Sequence, residues 1–364
     1  MTHPRPKDFI KDLPAYHVAE ATDARPNLIR LSFNEGAFGP SPKAVAAYQA
    51  AVPTLHRYPE MSYASLRQAL ARAHELEADR IICGAGSDDL LILLARAYAG
   101  PGDEIIFSQY GFAMYAVTTK AVGATPVIIP EKNFTLDIDA LLAAVTPRTR
   151  LVFVANPNNP TGSYVDRDAI RRLHDGLPKA VLLVLDAAYA EYMTVPDYED
   201  GLDLAASEPN VIVTRTFSKI HALGGLRVGW GYGPAHVIDA LNRVRNPFNI
   251  ATPAAHAAIA SLEDTDFLRH SRDHNDHWRA WLAAQLRALG GFTPLPSATN
   301  FLLVNTGTAE RTQTLLAALR TAAIQVRAMS GYQLPDHIRI TIGREEDMRA
   351  LVDTLKSFRA AEAA

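Results

Sequence analysis

One cysteine, Cys83, occurs in 364 residues. An intramolecular disulfide is therefore excluded, and the chain suits a reducing compartment. Cys83 closes an apolar run, Arg80-Ile81-Ile82-Cys83, which reads as a buried structural thiol rather than a nucleophile. No apolar run approaches the roughly 20 residues needed to cross a bilayer. Charge of one sign is also lacking: the formal net charge is −3 and no long block of either sign occurs, which argues against a nucleic-acid or membrane-surface protein. Met1-Thr2-His3-Pro4-Arg5-Pro6-Lys7 leads into polar sequence, so a secretory leader is not expected and the cytoplasm is the expected location. What the chain has is 48% hydrophobic and 21% charged residues, the balance of a globular protein with core for roughly two to three domains.

Apolar runs alternate with helical patterns through the middle of the chain. Strands are expected at 81–84, 104–108, 125–129, 151–155, 180–186, 211–216 and 227–232. Most are continuously apolar, as strands buried on both faces are. Helices are expected between them, for example at 88–98, 112–122 and 167–176. The pattern predicts an open, mostly parallel α/β sheet with crossovers, which places ligands at the carboxyl ends of its strands. From about residue 250 long helices (253–262, 266–289) precede short strands (300–305, 325–328, 337–342) and two further helices (309–322, 345–358), an α+β unit. The expected division is an N-terminal segment 1–35 that joins the smaller unit, a large domain 36–248 and a small domain 249–364. Residues 32–40 read as an extended segment punctuated by Gly and Pro, and 359–364 as a frayed tail.

Chemistry concentrates around Lys219. Thr216-Phe217-Ser218-Lys219 is followed by Gly224-Gly225-Leu226-Arg227. An amine that forms a Schiff base, flanked by hydroxyls and a guanidinium, can hold a phosphorylated aldehyde; an isolated lysine after a strand would carry no such meaning. Gly84-Ala85-Gly86-Ser87-Asp88-Asp89 stands between a strand and a helix, and its amides suit a phosphate or an ordinary N-cap equally well. Asp89 stands where a dinucleotide fingerprint needs its third glycine. Asn156-Pro157-Asn158-Asn159-Pro160-Thr161-Gly162 makes a stiff turn able to aim an amide into a cleft. Asp186-Ala187-Ala188-Tyr189 ends the apolar run 181–185. A buried carboxylate there requires a cationic partner, such as a protonated pyridine nitrogen, unless it is an N-cap or a metal bridge. His270, His274 and His277 share a helix face at metal-ligand spacing, but Arg269, Arg272, Asp273 and Asp276 around them read as a solvated face, and no metal is expected.

Asn-Pro-Asn-Asn-Pro-Thr-Gly, Asp-x-x-Tyr and Thr-x-Ser-Lys-x7-Arg, with 27, 33 and 8 residues separating Asn159, Asp186, Lys219 and Arg227, resemble the fold-type I, class I/II aminotransferases that use pyridoxal 5′-phosphate. Leu13-Pro14-Ala15-Tyr16, Leu31-Ser32-Phe33-Asn34-Glu35, Arg57-Tyr58-Pro59, Tyr110-Gly111 and Arg339-Ile340-Thr341-Ile342-Gly343 narrow the resemblance to the histidinol-phosphate aminotransferase branch. Gly36-Ala37 stands where that branch usually has Asn-Pro, and Asp89 follows Asp88 where it has Glu.

The resemblance implies a large domain with a mostly parallel sheet sandwiched by helices and a smaller α+β domain. It implies pyridoxal 5′-phosphate as cofactor and a ping-pong aldimine/ketimine mechanism between an amino donor and a 2-oxo acid, histidinol phosphate with 2-oxoglutarate foremost. Lys219 would form the Schiff base and transfer protons, and Asp186 would pair with the pyridinium nitrogen. Asn159 and Tyr189 would bond the ring oxygen, and Tyr110 would stack on the ring. Ser87, Asp88, Thr216, Ser218 and Arg227 would hold the phosphate, joined by Tyr58 of a neighbouring subunit in a homodimer with shared sites. Tyr16, Asn34, Arg327 and Arg339 would bind substrate. The same residues would serve an aromatic or other amino-acid aminotransferase, or a decarboxylase resembling threonine-phosphate decarboxylase. A cofactor-binding regulator is disfavoured because no DNA-binding extension precedes Tyr16 or follows Phe358.

Overall fold

The computed structural model describes residues 4–11, 13, 25 and 27–363; Tyr16 lies outside the described residues. Twelve strands occur among the described residues, in chain order: β1 Ile29–Leu31, β2 Ile81–Gly84, β3 Glu104–Ser108, β4 Thr125–Ile129, β5 Thr149–Ala155, β6 Leu182–Asp186, β7 Val211–Thr216, β8 Gly229–Tyr232, β9 Thr293–Pro294, β10 Phe301–Asn305, β11 Ile324–Ala328 and β12 His337–Thr341. Seven form one sheet in the order β2-β8-β7-β6-β5-β3-β4. Its neighbouring strands from β7 to β4 are parallel, and only β8 runs antiparallel to its neighbours. Every residue of β6 and β7 is buried, which is why the runs 182–185 and 211–213 are continuously apolar rather than alternating.

Register decides where the site forms. Ala155 pairs with Asp186, and Asp186 with Thr214. Thr216 pairs with Gly229, which on its other side faces Gly84. The carboxyl ends of β2, β5, β6 and β7 therefore meet along one sheet edge. The helix Ser87–Tyr98 begins there and buries Leu90, Leu91, Leu93 and Leu94 against the sheet. β8 starts at Gly229; the expected strand from Arg227 is shorter because Arg227 takes a left-handed conformation, φ 53°.

The second sheet has the order β1-β11-β12-β10-β9. Helices Thr265–Leu289 and Glu345–Ala363 supply Leu282, Leu286, Met348, Leu351 and Leu355 to its core. The short strand β1, which has no periodic signal of its own, pairs in parallel with Ile324–Val326. Helix Thr252–Leu262 behaves otherwise than a division at 249 would require: Ala254, Ala257, Ala258 and Leu262 lie in the core of the larger sheet. We propose that the division falls after this helix. The expected frayed tail is also helical, with the last helix running to Ala363. Glu362 holds it by accepting from Arg311 Nε at 2.5 Å and Arg359 Nη1 at 2.7 Å.

Arg215 sits on β7 beside the site, with a side chain 4% exposed. Its guanidinium pairs with Glu191 at 2.9 Å and Asp200 at 2.5 Å, and lies 5.7 Å from the Trp230 ring centroid. Removing one member of a buried ion network strands the others. Arg215→Ala should lower the unfolding free energy by about 3–5 kcal/mol, measured by denaturant titration; a loss below about 1 kcal/mol would show the network to be a solvated one.

Candidate active site

The sheet edge opens into a cleft of about 340 Å³ lined by Asp186, Lys219, Tyr189, Asn159, Ser87 and Arg227 among others. Asp186 forms its floor and is 5% exposed. Two hydroxyls meet its carboxylate: Tyr115 donates to Oδ2 at 2.8 Å and Thr214 to Oδ1 at 3.3 Å. Burial pushes this carboxyl up to about 6, against the lowering effect of those two hydrogen bonds. Lys219 enters from the turn after β7. Its Nζ lies 5.6 Å from the Tyr189 ring centroid and donates to the Phe33 carbonyl at 3.4 Å. Burial brings the amine down to about 8, helped by the positive charges of Arg339 and Arg227. An amine so depressed is a base and a nucleophile near neutral pH.

Beside the amine is an anion cradle. Gly86, φ 99°, turns the chain so that Ser87 and Asp88 open a helix, whose free amides and dipole favour an anion. Any Cβ at Gly229 would stand 2.3 Å from the Ser87 nitrogen, so glycine is required where β8 passes under this turn. Arg227 Nη2 donates to Asp88 Oδ1 at 2.7 Å, and Nη1 to Ser218 Oγ at 3.3 Å. Thr216 Oγ1 donates to Ser218 Oγ at 2.9 Å. The left-handed backbone of Arg227 lets its side chain return across the turn toward Ser87.

The opposite wall comes from residues 32–36 and the smaller sheet. Asn34 is 1% exposed. Its amide nitrogen donates to the Tyr189 hydroxyl at 2.8 Å, and Thr341 exchanges two hydrogen bonds with it. Asn34 thus lies behind Tyr189, where the sequence suggested direct contact with substrate. Gly36 lies so close to the Lys219 turn that a Cβ would stand 2.8 Å from Ala222 Cβ; the asparagine usual in the resembling branch does not fit this path. Arg339, 7% exposed, donates to Asn159 Oδ1 at 2.6 Å and to the Ser32 carbonyl at 2.7 Å. Arg327 is directly opposite Arg339 across β11 and β12, so both side chains leave the same face of the sheet.

Tyr110, Tyr58, His270 and His274 stand outside the cleft lining. Tyr110 stacks on Phe134 with centroids 5.4 Å apart, its carbonyl held by Asn158 Nδ2 at 3.2 Å, and the aromatic lining the cleft from this loop is Phe112. Tyr58 is 83% exposed and stacked on Phe248 at 4.8 Å. His270 and His274 pack on Phe38 with centroids 4.7 and 4.5 Å away, and His274 Nε2 lies 2.9 Å from the Gly343 carbonyl. Sequence reasoning missed Tyr115, Thr214, Thr341 and Asn300; Asn300 Nδ2 donates to the carbonyls of Asn34 and Glu35 at 3.0 and 3.3 Å. Thr214 left a trace as a polar residue inside an apolar strand, and Thr341 as part of the motif 339–343.

Residues 26–355 match the family "Aminotransferase class I and II". The chain belongs to this family. It is 51% identical over 361 residues to the histidinol-phosphate aminotransferase of Dinoroseobacter shibae, covering 99% of each chain, and 49% identical to that of Paramagnetospirillum magneticum, covering 98% of this chain and 99% of the other. Among solved structures it resembles histidinol-phosphate aminotransferase from Sinorhizobium meliloti in complex with pyridoxal-5′-phosphate, with a TM-score of 0.92 and 30% identity over 99% of each chain. L-threonine-O-3-phosphate decarboxylase from Porphyromonas gingivalis shares the fold, with a TM-score of 0.80 and 21% identity, covering 91% of this chain and 99% of the other. The family's fold, an α/β large unit with a mostly parallel sheet and a smaller α+β unit, is the architecture described above.

A Lys219 amine that loses its proton near 8 carries a kinetic signature. Capture of an aldehyde cofactor by the apoprotein should accelerate about tenfold per pH unit below pH 8 and level off above it. Stopped-flow absorbance would report this, and a rise continuing to pH 10 would show that the cleft leaves the amine at its ordinary basicity.

Proposed function

We propose that this chain is a pyridoxal 5′-phosphate-dependent aminotransferase that moves an amino group from histidinol phosphate to 2-oxoglutarate. Relatives about half identical over nearly the full chain bear the first substrate's name. The observation that carries the substrate reading is the in-register pair Arg327 and Arg339. Two guanidiniums on one sheet face suit a dianionic phosphate at the far end of the amino donor, and one of them suits the carboxylate of a 2-oxo acid.

The residues present fit the cofactor. The cradle of Ser87, Asp88, Thr216, Ser218 and Arg227 would hold its phosphate, and Asp186 its ring nitrogen. Asn159 and Tyr189 would hold the ring oxygen, and the loop bearing Tyr110 and Phe112 would cover one ring face. When bound, pyridoxal 5′-phosphate supplies an aldehyde that links to amines and a protonated ring that accepts the electron pair released with the α-proton. The chain's own work is to place groups and protons. Asp186, on the floor of the cleft, would stabilise positive charge at the ring nitrogen. Lys219 Nζ takes the proton from the substrate's α-carbon, which its lowered basicity permits near pH 7. Arg339, already anchored on Asn159 and Ser32, fixes the substrate's anionic end so that the α-carbon faces Lys219.

We further propose a homodimer in which Tyr58 reaches the neighbouring subunit's phosphate. Val45, Tyr48, Val52, Leu55, Tyr58 and Met61 are each at least 38% exposed along one stretch of chain, an apolar surface suited to a second copy. The cytoplasm is the proposed location; among the described residues no helix is long and apolar enough to cross a membrane.

The test is a half-reaction screen. The holoenzyme is mixed with histidinol phosphate, phenylalanine, histidine or glutamate while the long-wavelength absorbance of the cofactor is followed. Histidinol phosphate should react with the highest kcat/KM. Arg327→Ala should lower that value at least about tenfold, chiefly through KM, while altering the glutamate half-reaction much less. Faster reaction with phenylalanine would assign the site to aromatic amino acids, and release of carbon dioxide would assign it to decarboxylation.

A further inference from the structure

We propose that Tyr115 is a positioning residue for the reaction, acting through Asp186: its hydroxyl keeps that carboxylate ionised and aimed, and so keeps the cofactor's ring nitrogen protonated. The proposal rests on the cofactor reading above. Tyr115 does not line the cleft. It lies beneath it, 1% exposed, on the helix Met114–Ala121. Its ring stacks on Phe153 with centroids 5.0 Å apart and meets Phe107 and Phe112 at 5.9 Å. Gly111 permits this seat, since a Cβ there would stand 3.1 Å from the Tyr115 ring. Three aromatic neighbours and a buried backbone leave the hydroxyl one direction, and it ends 2.8 Å from Asp186 Oδ2.

The donor and acceptor capacities of the two groups set the polarity of this contact. An ionised carboxylate only accepts, so Tyr115 must donate its single hydroxyl proton. Burial, with Asp186 beside it, holds the phenol well above its ordinary value of 10, so that proton stays on Tyr115. The groups that act on the Asp186 carboxylate include Tyr115 from the helix below, Thr214 from β7, Asp88 from the cradle, and Lys219, with Tyr189 and Tyr198 also within reach of its charge. Asp88 disfavours the charged carboxylate and Lys219 favours it, both through charge alone rather than through a hydrogen bond. Of the two hydroxyls that donate, Tyr115 is the nearer, at 2.8 Å against 3.3 Å for Thr214. Without it the buried carboxylate becomes more basic and draws the shared proton away from the ring nitrogen.

Tyr115→Phe keeps every ring contact and deletes only the donor. The holoenzyme is loaded with cofactor labelled with ¹⁵N in the ring, and its nitrogen resonance is compared with that of the wild type at pH 7. The expected result is a resonance displaced toward the unprotonated position, together with a half-reaction kcat about tenfold lower and little change in KM. Placing 3-fluorotyrosine at position 115 strengthens the donor without changing its shape. With it the ring nitrogen should hold its proton to a higher pH than in the wild type, and an unshifted nitrogen titration overturns the proposal even if the Phe variant fails to fold. An unmoved resonance in the Phe variant overturns the proposal, whatever happens to the rate, because a purely structural role would slow turnover without touching the proton. If the wild-type nitrogen is itself unprotonated, or Asp186→Asn leaves the resonance unchanged, the pairing of Asp186 with the ring fails instead.

Discussion

A carboxylate at the end of a strand buried on both faces is the constraint on which the site depends. Asp186 gains nothing by lying there unless its charge is matched. The surroundings supply two hydroxyls from protein and leave the open side toward the cleft. The same burial that raises Asp186 lowers Lys219. One dry edge of the sheet therefore prepares an acid and an amine with ionisations much closer together than water would leave them. The phosphate cradle follows from the same edge, because β2 delivers a helix N-terminus there and β8, running antiparallel, begins there with Gly229.

The smaller sheet completes what the larger one begins. Arg339 from β12 reaches Asn159 in the Asn-Pro turn, and Asn34, next to β1, reaches Tyr189. The chain thus connects its first and last strands to two functional side chains of the large sheet. These contacts cross between two hydrophobic cores that are also bridged by a small cluster of Tyr189, Tyr192, Ile220 and Phe301. Movement of one unit against the other would have to break or carry them, which ties the orientation of Tyr189 and Asn159 to the position of the smaller unit.

Much of this is legible in order along the chain. Lys219, Asp186, Asn159, Tyr189 and Arg227 stand out because each occupies a strand end or a turn, where a buried charge or a stiff polar corner demands a partner. The helix 167–176 has the bounds its sequence predicts, because Asp166 caps it and Leu177 leaves it. Tyr115 is not legible: on a helix among apolar residues, a tyrosine looks the same whether its hydroxyl meets solvent, a carbonyl or a buried carboxylate. Nor is the packing of the adjoining loop legible: Tyr110 stacks on Phe134, and Phe112 lines the cleft wall. The division near 249 follows a change in pattern, but the alanine-rich helix 252–262 is buried by shape against 42–51 and 64–74, and pattern does not record which of two cores an apolar face will choose.

The sequence by itself determined the chemical inventory, the alternation of strand and helix, and the sheet edge where the inventory gathers, because these follow from local periodicity and from residue types at strand ends. Tertiary structure alone decided which groups flank the buried charges. It placed Asn34 against the Tyr189 hydroxyl, set Arg327 opposite Arg339, and brought Tyr115 up under Asp186. Contacts between residues 71 to 307 positions apart are fixed by register and packing, and neither has a local signature in the chain.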